Sequence, residues 1–308
     1  MSENRSTPRI SPPNPQWEQD LSLRKSPASS KADAWDELNH LDQSYLEFSM
    51  ASDVPRGIVL WLGLIGIAAG GYIASLFLTT AVNAAEFDGL FFASMLMPLF
   101  MAVVSLFFFR FDLRLPKDRP VRFNRRQGKV YANYYTWNHN PFGRWGGGAK
   151  VFYWNTLQAE ITKQIGASGT VVTQRYSLDL VACKPGTCEE VERFRLQQGA
   201  QTIKQYEEQW EFIRRYMENG LEGLPPQNLR NQTPGFVDCL LFAMPWFAPT
   251  ETGRRARERM RGFWGTLMAT LLSVLFPLWL LFGLGNFVVM HLAPEASWPP
   301  GVDEQSRR

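Results

Sequence analysis

Histidine and cysteine are scarce in this chain, which has three of each among its 308 residues. Most metal centres and many nucleophilic active sites depend on these two residue types. The histidines are widely separated, at His40, His139 and His291, and no Ser–His–Asp or Cys–His arrangement is apparent. The sequence therefore predicts a protein that is not an enzyme and that binds neither a metal nor a cofactor.

Two short motifs resemble cofactor or metal sites but are incomplete. The stretch "GRWGGGAK", residues 143–150, has the glycines of a phosphate-binding loop. However, an alanine separates its last glycine from the lysine, and no Ser or Thr follows. Cys183 and Cys188 supply only two ligands, and a cytosolic setting disfavours a stable disulfide between them. We interpret the first motif as a loop and the second as a turn between strands.

Charged residues are absent from three long stretches, residues 57–85, 89–109 and 262–290. About 20 apolar helical residues, each rising about 1.5 Å, cross a bilayer core of roughly 30 Å. The first stretch is apolar on every side and follows a long polar segment, which excludes a signal peptide. We therefore predict an α+β membrane protein. It has an N-terminal transmembrane helical hairpin, residues 57–80 and 89–109, and a C-terminal transmembrane helix, residues 262–291.

Small residues and a proline modify this prediction. Gly66, Gly70 and Ala74 are four apart and share one helix face, which is typical of close helix packing in lipid. The last stretch contains Pro277, so we expect a tilted or kinked single span. The alternative is a re-entrant pair of helices, which would return the C-terminus to the side where the stretch begins.

Lysine and arginine are unevenly distributed around the three stretches. The loop between the first two has none, whereas eight follow the second stretch within residues 110–129. Because cytoplasmic loops are rich in these residues, we predict a cytoplasmic N-terminus and a cytoplasmic segment 110–262. A single last span then places the C-terminus on the opposite side. Five arginines before that span are predicted to face anionic lipid: Arg254, Arg255, Arg257, Arg259 and Arg261.

Four other segments flank the apolar stretches. Residues 1–32 are rich in Ser, Pro, Asn and charge and are predicted to be a disordered tail. Residues 33–56 form a juxtamembrane segment in which apolar residues three and four apart indicate a short helix. Residues 236–261 begin with an apolar stretch that is too short to span a membrane, which predicts an interfacial segment. Residues 292–308 form a C-terminal tail.

Residues 110–235 have the composition of a soluble domain. Alternating apolar and polar residues predict five or so antiparallel strands, and Gly128 suits the first turn. Apolar residues three and four apart then predict one covering helix over residues 200–219, with Trp210 and Ile213 on its buried face. This element order is that of a pleckstrin-homology-like half-open barrel. We therefore predict a cytoplasmic, antiparallel β-rich, pleckstrin-homology-like domain, an assignment by analogy.

Arginines and aromatic residues alternate in "RPVRFNRRQGKVYANYY", residues 119–135. This pattern raises the question of whether the stretch binds a partner. Part of its charge follows from its place beside the membrane. The glycine-flanked loop after it, residues 138–148, is the better candidate for interface hot spots. The predicted partner-binding residues are Trp137, Phe142, Arg144 and Trp145.

Four features follow one another along the chain. They are an apolar hairpin, then the stretch "RPVRFNRRQGKVY", then a helix carrying "EQWEFIRRYMENGLEGLP", and then a last apolar segment. Over residues 45–292 this series resembles an uncharacterised family of bacterial inner-membrane proteins, often encoded beside type VI secretion effector genes. The resemblance implies the bacterial inner membrane as the location, where the predicted spans make a multi-pass protein. It also implies a role in toxin delivery or in protection against a toxin, and it supplies no catalytic residues.

Binding is the function that these observations favour. The spans lack the carboxylates and lysines of ion relays, which disfavours transport, and a net charge of +3 does not indicate nucleic-acid binding. We expect a non-enzymatic inner-membrane interaction protein whose cytoplasmic domain binds a protein partner. That partner would be a secreted toxin or its delivery adaptor, which makes this an immunity or accessory protein. The alternative is a lipid-headgroup-binding or structural membrane module, and a homo-oligomer stays open.

Overall fold

The computed structural model describes residues 8–22, 31–50, 56–85, 87–136, 140, 143, 145–168, 171–200, 202–230 and 234–308. This part of the chain is an α+β protein with nine strands in two sheets and eight α-helices. The strands are β1 (Trp17–Asp20), β2 (Leu38–Leu41), β3 (Tyr45–Phe48), β4 (Val121–Asn124), β5 (Lys129–Thr136), β6 (Gly146–Tyr153), β7 (Leu157–Ser168), β8 (Val171–Cys183) and β9 (Glu190–Ala200). The helices are α1 (Ile58–Ala84), α2 (Gly89–Arg114), α3 (Ile203–Asn219), α4 (Phe236–Leu240), α5 (Glu251–Arg259), α6 (Phe263–Ser273), α7 (Phe276–Leu292) and α8 (Pro300–Arg307).

Two antiparallel sheets and helix α3 enclose one apolar core. The five-stranded sheet has the order β2-β3-β4-β5-β6, and the four-stranded sheet has the order β1-β7-β8-β9. Gly128, with φ of 60°, lies in the turn between β4 and β5, where the sequence places it. Trp210 and Ile213 of α3 are buried in the shared core, on the helix face that their spacing predicts.

The N-terminal region differs from the prediction. Residues 38–48 form β2 and β3 instead of a short helix, because Asp42 closes a tight turn between them. Its carboxylate accepts hydrogen bonds from the N–H groups of Ser44 at 2.6 Å and Tyr45 at 2.9 Å. Within the predicted disordered tail, β1 pairs with β7, and Leu21 is buried in the core. These residues therefore belong to the β domain.

The helical hairpin of α1 and α2 is an insertion in the five-stranded sheet. β3 and β4 are paired neighbours, with Phe48 opposite Val121, and the hairpin connects them. Met50 and Asp118, on either side of the insertion, are joined by a 2.8 Å hydrogen bond from the Met50 N–H to the carboxylate. Both helices are long and apolar enough to cross a membrane, as the predicted hairpin requires.

The two helices of the hairpin pack closely through glycines. A side chain at Gly66 would overlap the hydroxyl of Ser105, and a Cβ at Gly70 would lie 3.3 Å from that of Met101. The small-residue face predicted from the sequence therefore faces α2 at these two positions. At the domain end of the hairpin, the buried carboxylate of Asp112 accepts a 2.7 Å hydrogen bond from the N–H of Leu60, in the first turn of α1.

The third apolar stretch is not a single helix. Helices α6 and α7 meet at 84°, and they qualify as a third candidate span only if the bent pair is taken as one. Pro277 explains the break, because it has no N–H and its ring would clash with the carbonyl of Ser273, where α6 ends. The sequence predicts a tilted or kinked single span, with a re-entrant pair as the alternative, and a bent pair of helices is compatible with the kinked span and with the re-entrant pair.

Candidate functional site

The C-terminal tail, residues 293–308, folds back onto the outer face of the five-stranded sheet. The side-chain amide of Asn124 in β4 donates to the carbonyl of Ser306 at 3.1 Å, and that of Asn133 in β5 donates to the carbonyl of Ser297 at 3.0 Å. The N–H of Lys117 donates to the carbonyl of Pro294 at 2.9 Å. The tail and the sheet must therefore lie on the same side of any membrane. These contacts disagree with the prediction that places the tail and the sheet on opposite sides, which treats residues 262–291 as one crossing.

Arg122, in β4, is the centre of this contact. Its guanidinium forms a buried ion pair with Glu47 of β3 and bonds the carboxylate of Asp303 in α8 at 2.5 Å. The same guanidinium donates to the hydroxyl of Ser306 at 2.9 Å. A buried cation needs such compensation, because the charge has lost its water. The planar fork of arginine reaches both carboxylates from one position.

Two aromatic rings enclose the same guanidinium. It lies 4.4 Å from the ring centre of Trp298 in the tail and 5.4 Å from that of Tyr45 in β3. Both distances are in the range of cation–π attraction. The sheet and the tail thus each contribute one carboxylate and one ring around Arg122, and the contacts with Asp303 and Trp298 resist detachment of the tail.

Charge within this cluster favours the ionised form of Asp303. Burial alone would raise the pKa of Asp303, but the hydrogen bond from Arg122 and the positive charges of Arg122 and Arg307 hold it below its usual value. In the nearby turn, burial also opposes ionisation of Asp42. Hydrogen bonds from His40, Tyr45 and Ser44 nevertheless lower the pKa of Asp42 to about 2. Both carboxylates are therefore anionic at neutral pH.

Beside Arg122 lies a cavity of about 440 Å³ at the junction of the sheet, the tail and the apolar helices. Met290 of α7 and Lys117, three residues after α2, place it at the domain end of the apolar helices. Its lining carries charge of both signs. The charged residues are the basic Lys117, Arg122, Arg230 and Arg307 and the acidic Glu47, Asp118, Glu295 and Asp303.

In the arginine-rich stretch, residues 119–135, successive side chains of β4 point to opposite faces of the sheet. Val121 and Phe123 of β4 enter the core, so Arg122 and Asn124 point to the other face and meet the tail. Arg126, in the turn, is exposed. Alternation along β4 could have shown that Arg122 shares a face with Asn124. No signal in the sequence shows that residues some 180 positions later cover that face.

Only one of the four predicted partner-binding residues is described by the structure. Trp137, Phe142 and Arg144 lie outside the described residues. The ring of Trp145 packs 6.1 Å from that of Phe107, and the guanidinium of Arg110 lies 4.8 Å from the Trp145 ring centre. Trp145 therefore rests on the last turns of α2, at the same end of the hairpin as the cavity.

The arginines predicted to face lipid belong to α5 and the turn after it. Arg254 is exposed and pairs with Glu258 at 2.6 Å, and Arg261 is also exposed. Arg257 donates to the carbonyls of Trp246 at 2.8 Å and Ala248 at 2.9 Å, which ties α5 to the chain before it. Arg255 and Arg259 lie in α5, and their side chains are outside the description.

The remaining candidates do not come together in the described part of the chain. His40 lies in β2 beside the cavity, His291 lies at the end of α7, and His139 is outside the described residues. Cys183 is buried and Cys188 is exposed, and both are free thiols. Among the described residues, no group of three or more His, Cys, Asp and Glu is placed to hold a metal ion.

Fold and site together define an α+β protein in which a hairpin long and apolar enough to cross a membrane is inserted in a two-sheet domain. The chain belongs to the DUF6708 family, a family of unknown function, which matches residues 98–308. That match begins within α2 and includes the β domain from β4 onward and the tail. No curated protein and no solved structure matches the chain.

Proposed function

We propose that this chain is a non-enzymatic interaction protein of the bacterial inner membrane, whose cytoplasmic domain binds a protein partner beside the membrane. The mixed-charge cavity at the base of the hairpin carries this proposal. A site for a phosphate or another small anion would have an excess of positive charge. Four basic and four acidic side chains instead suit a protein surface with its own pattern of both signs.

Two of these charges are available to a partner. Arg122 is satisfied by Glu47 and Asp303. Among the described residues, the ammonium of Lys117 and the carboxylate of Glu295 form no ion pair, although their backbones are neighbours through the bond from Lys117 to Pro294. An opposite charge on a partner would pair with each of them.

The strand order supports a pleckstrin-homology-like domain as the binding module. β3 to β6 form a four-stranded meander, β7 to β9 form a second, three-stranded one, and α3 follows directly. Four strands, three strands and a helix are the order expected of that fold. The hairpin between β3 and β4 and the additional strands β1 and β2 would be elaborations of it. Element order supports the fold, and the function rests on the site.

The proposed partner is a type VI secretion effector or its delivery adaptor, which makes this chain an immunity or accessory protein. The support is the resemblance in the sequence together with the basic residues that predict a cytoplasmic domain. Permanent residence beside the membrane would suit capture of a toxin that arrives there. Production of the chain should therefore restore growth to cells that make the effector encoded beside it.

A second candidate is a lipid-headgroup-binding module. The observation that favours it is the position of the cavity, whose lining includes Met290 at the end of α7 and Lys117 just after α2. In a membrane the cavity would lie at the level of the lipid headgroups. Lys117 would then meet the phosphate of a lipid and Glu295 its ammonium.

Photo-crosslinking in living cells distinguishes these candidates. A photo-reactive amino acid would replace Glu295 at the cavity or, as a control, Val191, which is exposed on β9 of the four-stranded sheet. We expect the probe at position 295 to form a discrete protein adduct that the probe at 191 does not form. An adduct with lipid alone would favour the second candidate. Identical products at both positions would contradict a binding site at the cavity.

A further inference from the structure

Among the described residues, helix α7 has side-chain and backbone contacts with the hairpin at the end that lies beside the β domain. On α2, Phe109 and Leu113, in its last turns, pack against the cluster that contains Val289 of α7. On α1 the contacts lie at its very start. The indole N–H of Trp61 donates to the carbonyl of Leu281 at 2.7 Å, Gly57 lies against Gly285, and Leu60 packs with Val289 and Ala293.

These contacts fix the direction of α7 relative to the hairpin. From Leu281 to Ala293 the chain advances about 18 Å, whereas residues 57–61 of α1 cover about 6 Å, at about 1.5 Å per residue. Two helices that cross a membrane side by side would advance equally along their contact. Helix α7 therefore crosses the base of the hairpin steeply, on the side of the β domain.

The segment before α5 lies alongside α7 in the opposite direction. The ring of Phe236 in α4 is 5.0 Å from that of Phe287, near the end of α7. The ring of Phe247 is 5.8 Å from that of Phe276, at the start of α7. Between these pairs, the backbone at Leu240 fits against Gly283 so closely that a Cβ there would overlap it. Residues 236–247 and α7 thus form one layer.

Both ends of α7 are attached to polar parts of the protein, the β domain at one end and the arginine-rich α5 at the other. Its last residue precedes the tail, which is bonded to the β domain. Its first residue packs on Phe247, and Arg257 ties that region to the arginine-rich α5. If α7 crossed the membrane, these arginines would lie on the side opposite the domain, against the charge bias of membrane proteins.

The same layer exposes many large apolar side chains, which water would not tolerate as a continuous patch. They extend over α4, α6, α7 and the turns between them. Those more than two-fifths exposed are Phe236, Phe247, Phe263, Met268, Leu271, Val274, Leu275, Leu278, Leu281, Leu284 and Leu292.

We propose that residues 236–292 form an in-plane layer that inserts into one leaflet, on the side of the β domain, and does not cross the membrane. Its partner is the lipid surface: apolar side chains of α4, α6 and α7 enter the acyl boundary, and the exposed arginines of α5 and its following turn meet anionic headgroups. The 84° bend between α6 and α7 then lies within the plane of the membrane. This inference rests on the proposed membrane location and is independent of the partner.

Nitroxide depth measurements on the full chain in vesicles containing phosphatidylglycerol test this layer. Cys188 would be replaced by Ser because it is exposed. Single spin labels then go on α7 at Leu278, Leu284 or Leu292, all exposed to lipid in this arrangement. The end positions are about 21 Å apart along the helix. We expect all three labels at similar shallow depth, about 5–10 Å below the headgroups.

Labels on α1 at Leu62, Tyr72 and Val82, which are also exposed, serve as the matched control. Their depths should change from one interface through the centre of the bilayer toward the other. A profile of this kind along α7 would overturn the in-plane proposal while leaving the hairpin intact. A flat profile along α1 would instead contradict the membrane anchor, on which both proposals depend.

Discussion

At the scale of single residues, Arg122 joins parts of the chain that are far apart in sequence. It connects β3 through Glu47, its own strand β4, and α8 through Asp303. The rings of Tyr45 and Trp298 enclose it from the same two sides. Removal of one partner would leave a buried charge without compensation, which is why such clusters respond strongly to substitution. Arg126, in the turn that follows β4, is exposed instead.

Replacement of Arg122 by Lys should therefore destabilise the protein, although the charge is kept. An ammonium cannot bridge both carboxylates or lie flat between two rings, and the lost bonds amount to about 1.5–3 kcal/mol. Hydrogen exchange in detergent should show faster exchange of residues 293–308 in Arg122→Lys. The matched control is Arg126→Lys, at an exposed position four residues later. Equal behaviour of the two variants would contradict the role assigned to Arg122.

Glu160 should make stability depend on pH in the opposite sense to most carboxylates. Burial raises its pKa to about 7 from 4.5, although Arg193 lies 3.0 Å away. The folded state thus holds a proton that the unfolded state loses, so stability should fall as pH rises from about 4.5 to about 7. The melting temperature in detergent should follow this trend, and Glu160→Gln should weaken it. An unchanged pH dependence in that variant would show that Glu160 is not its source.

Residue-scale predictions from the sequence succeed where the pattern is local. The spacing of Trp210 and Ile213 predicts their burial, because a helix with one apolar face must cover something. Arg122 is different, since its surroundings depend on Asp303 and Ser306. Contacts between residues so far apart cannot be inferred from a single sequence. The sequence therefore explains the charge of the basic stretch only by its position beside the membrane.

At the scale of elements, the insertion of the hairpin between β3 and β4 has consequences for the domain boundaries. The sequence predicts that the β domain begins after the hairpin. The structure shows that β1, β2 and β3, which precede the hairpin, complete both sheets and the core. Their contribution is hidden because Leu38, Leu41 and Tyr45 have helical spacing, while the turn that separates the strands depends on Asp42.

The hairpin should be replaceable by a short turn without loss of the β domain. Residues 8–50 joined to residues 117–230 by Gly-Ser-Gly should fold as a water-soluble β domain, because Met50 and Asp118 are already hydrogen-bonded. The circular dichroism spectrum should be mainly β with a contribution from α3. Residues 115–230 alone should not fold, since that fragment lacks β1 to β3. A stable fold of this shorter fragment would refute the boundary drawn here.

The bent pair of α6 and α7 shows that amino-acid composition does not predict how an apolar segment is arranged. The length of an apolar stretch does not distinguish a crossing helix from helices that lie in a membrane surface. Pro277 marks where the helix breaks, and the sequence shows it, but the angle of 84° is a property of the packing. Gly283 and Gly285 fit against Leu240 and Gly57, which the sequence does not pair.

At the scale of the whole molecule, both described ends of the chain are attached to one β domain. Residues 8–22 reach it through β1, and residues 293–308 reach it through the cluster at Arg122. Between them lies the hairpin of α1 and α2, the two helices that are each long and apolar enough to cross a membrane within the described part of the chain. The proposed partner site lies where the tail, the sheet and the hairpin meet.

Thiol labelling of spheroplasts tests most directly the claim that the hairpin alone crosses and that the tail shares a side with the domain. In a chain with Cys188→Ser, single cysteines would replace Asn83, exposed at the far end of α1, and Glu304, exposed in α8. A membrane-impermeant maleimide should label position 83 in intact spheroplasts and position 304 only after permeabilisation. Labelling of position 304 in intact spheroplasts would contradict the account, because the tail would then lie across the membrane from the position predicted for the β domain.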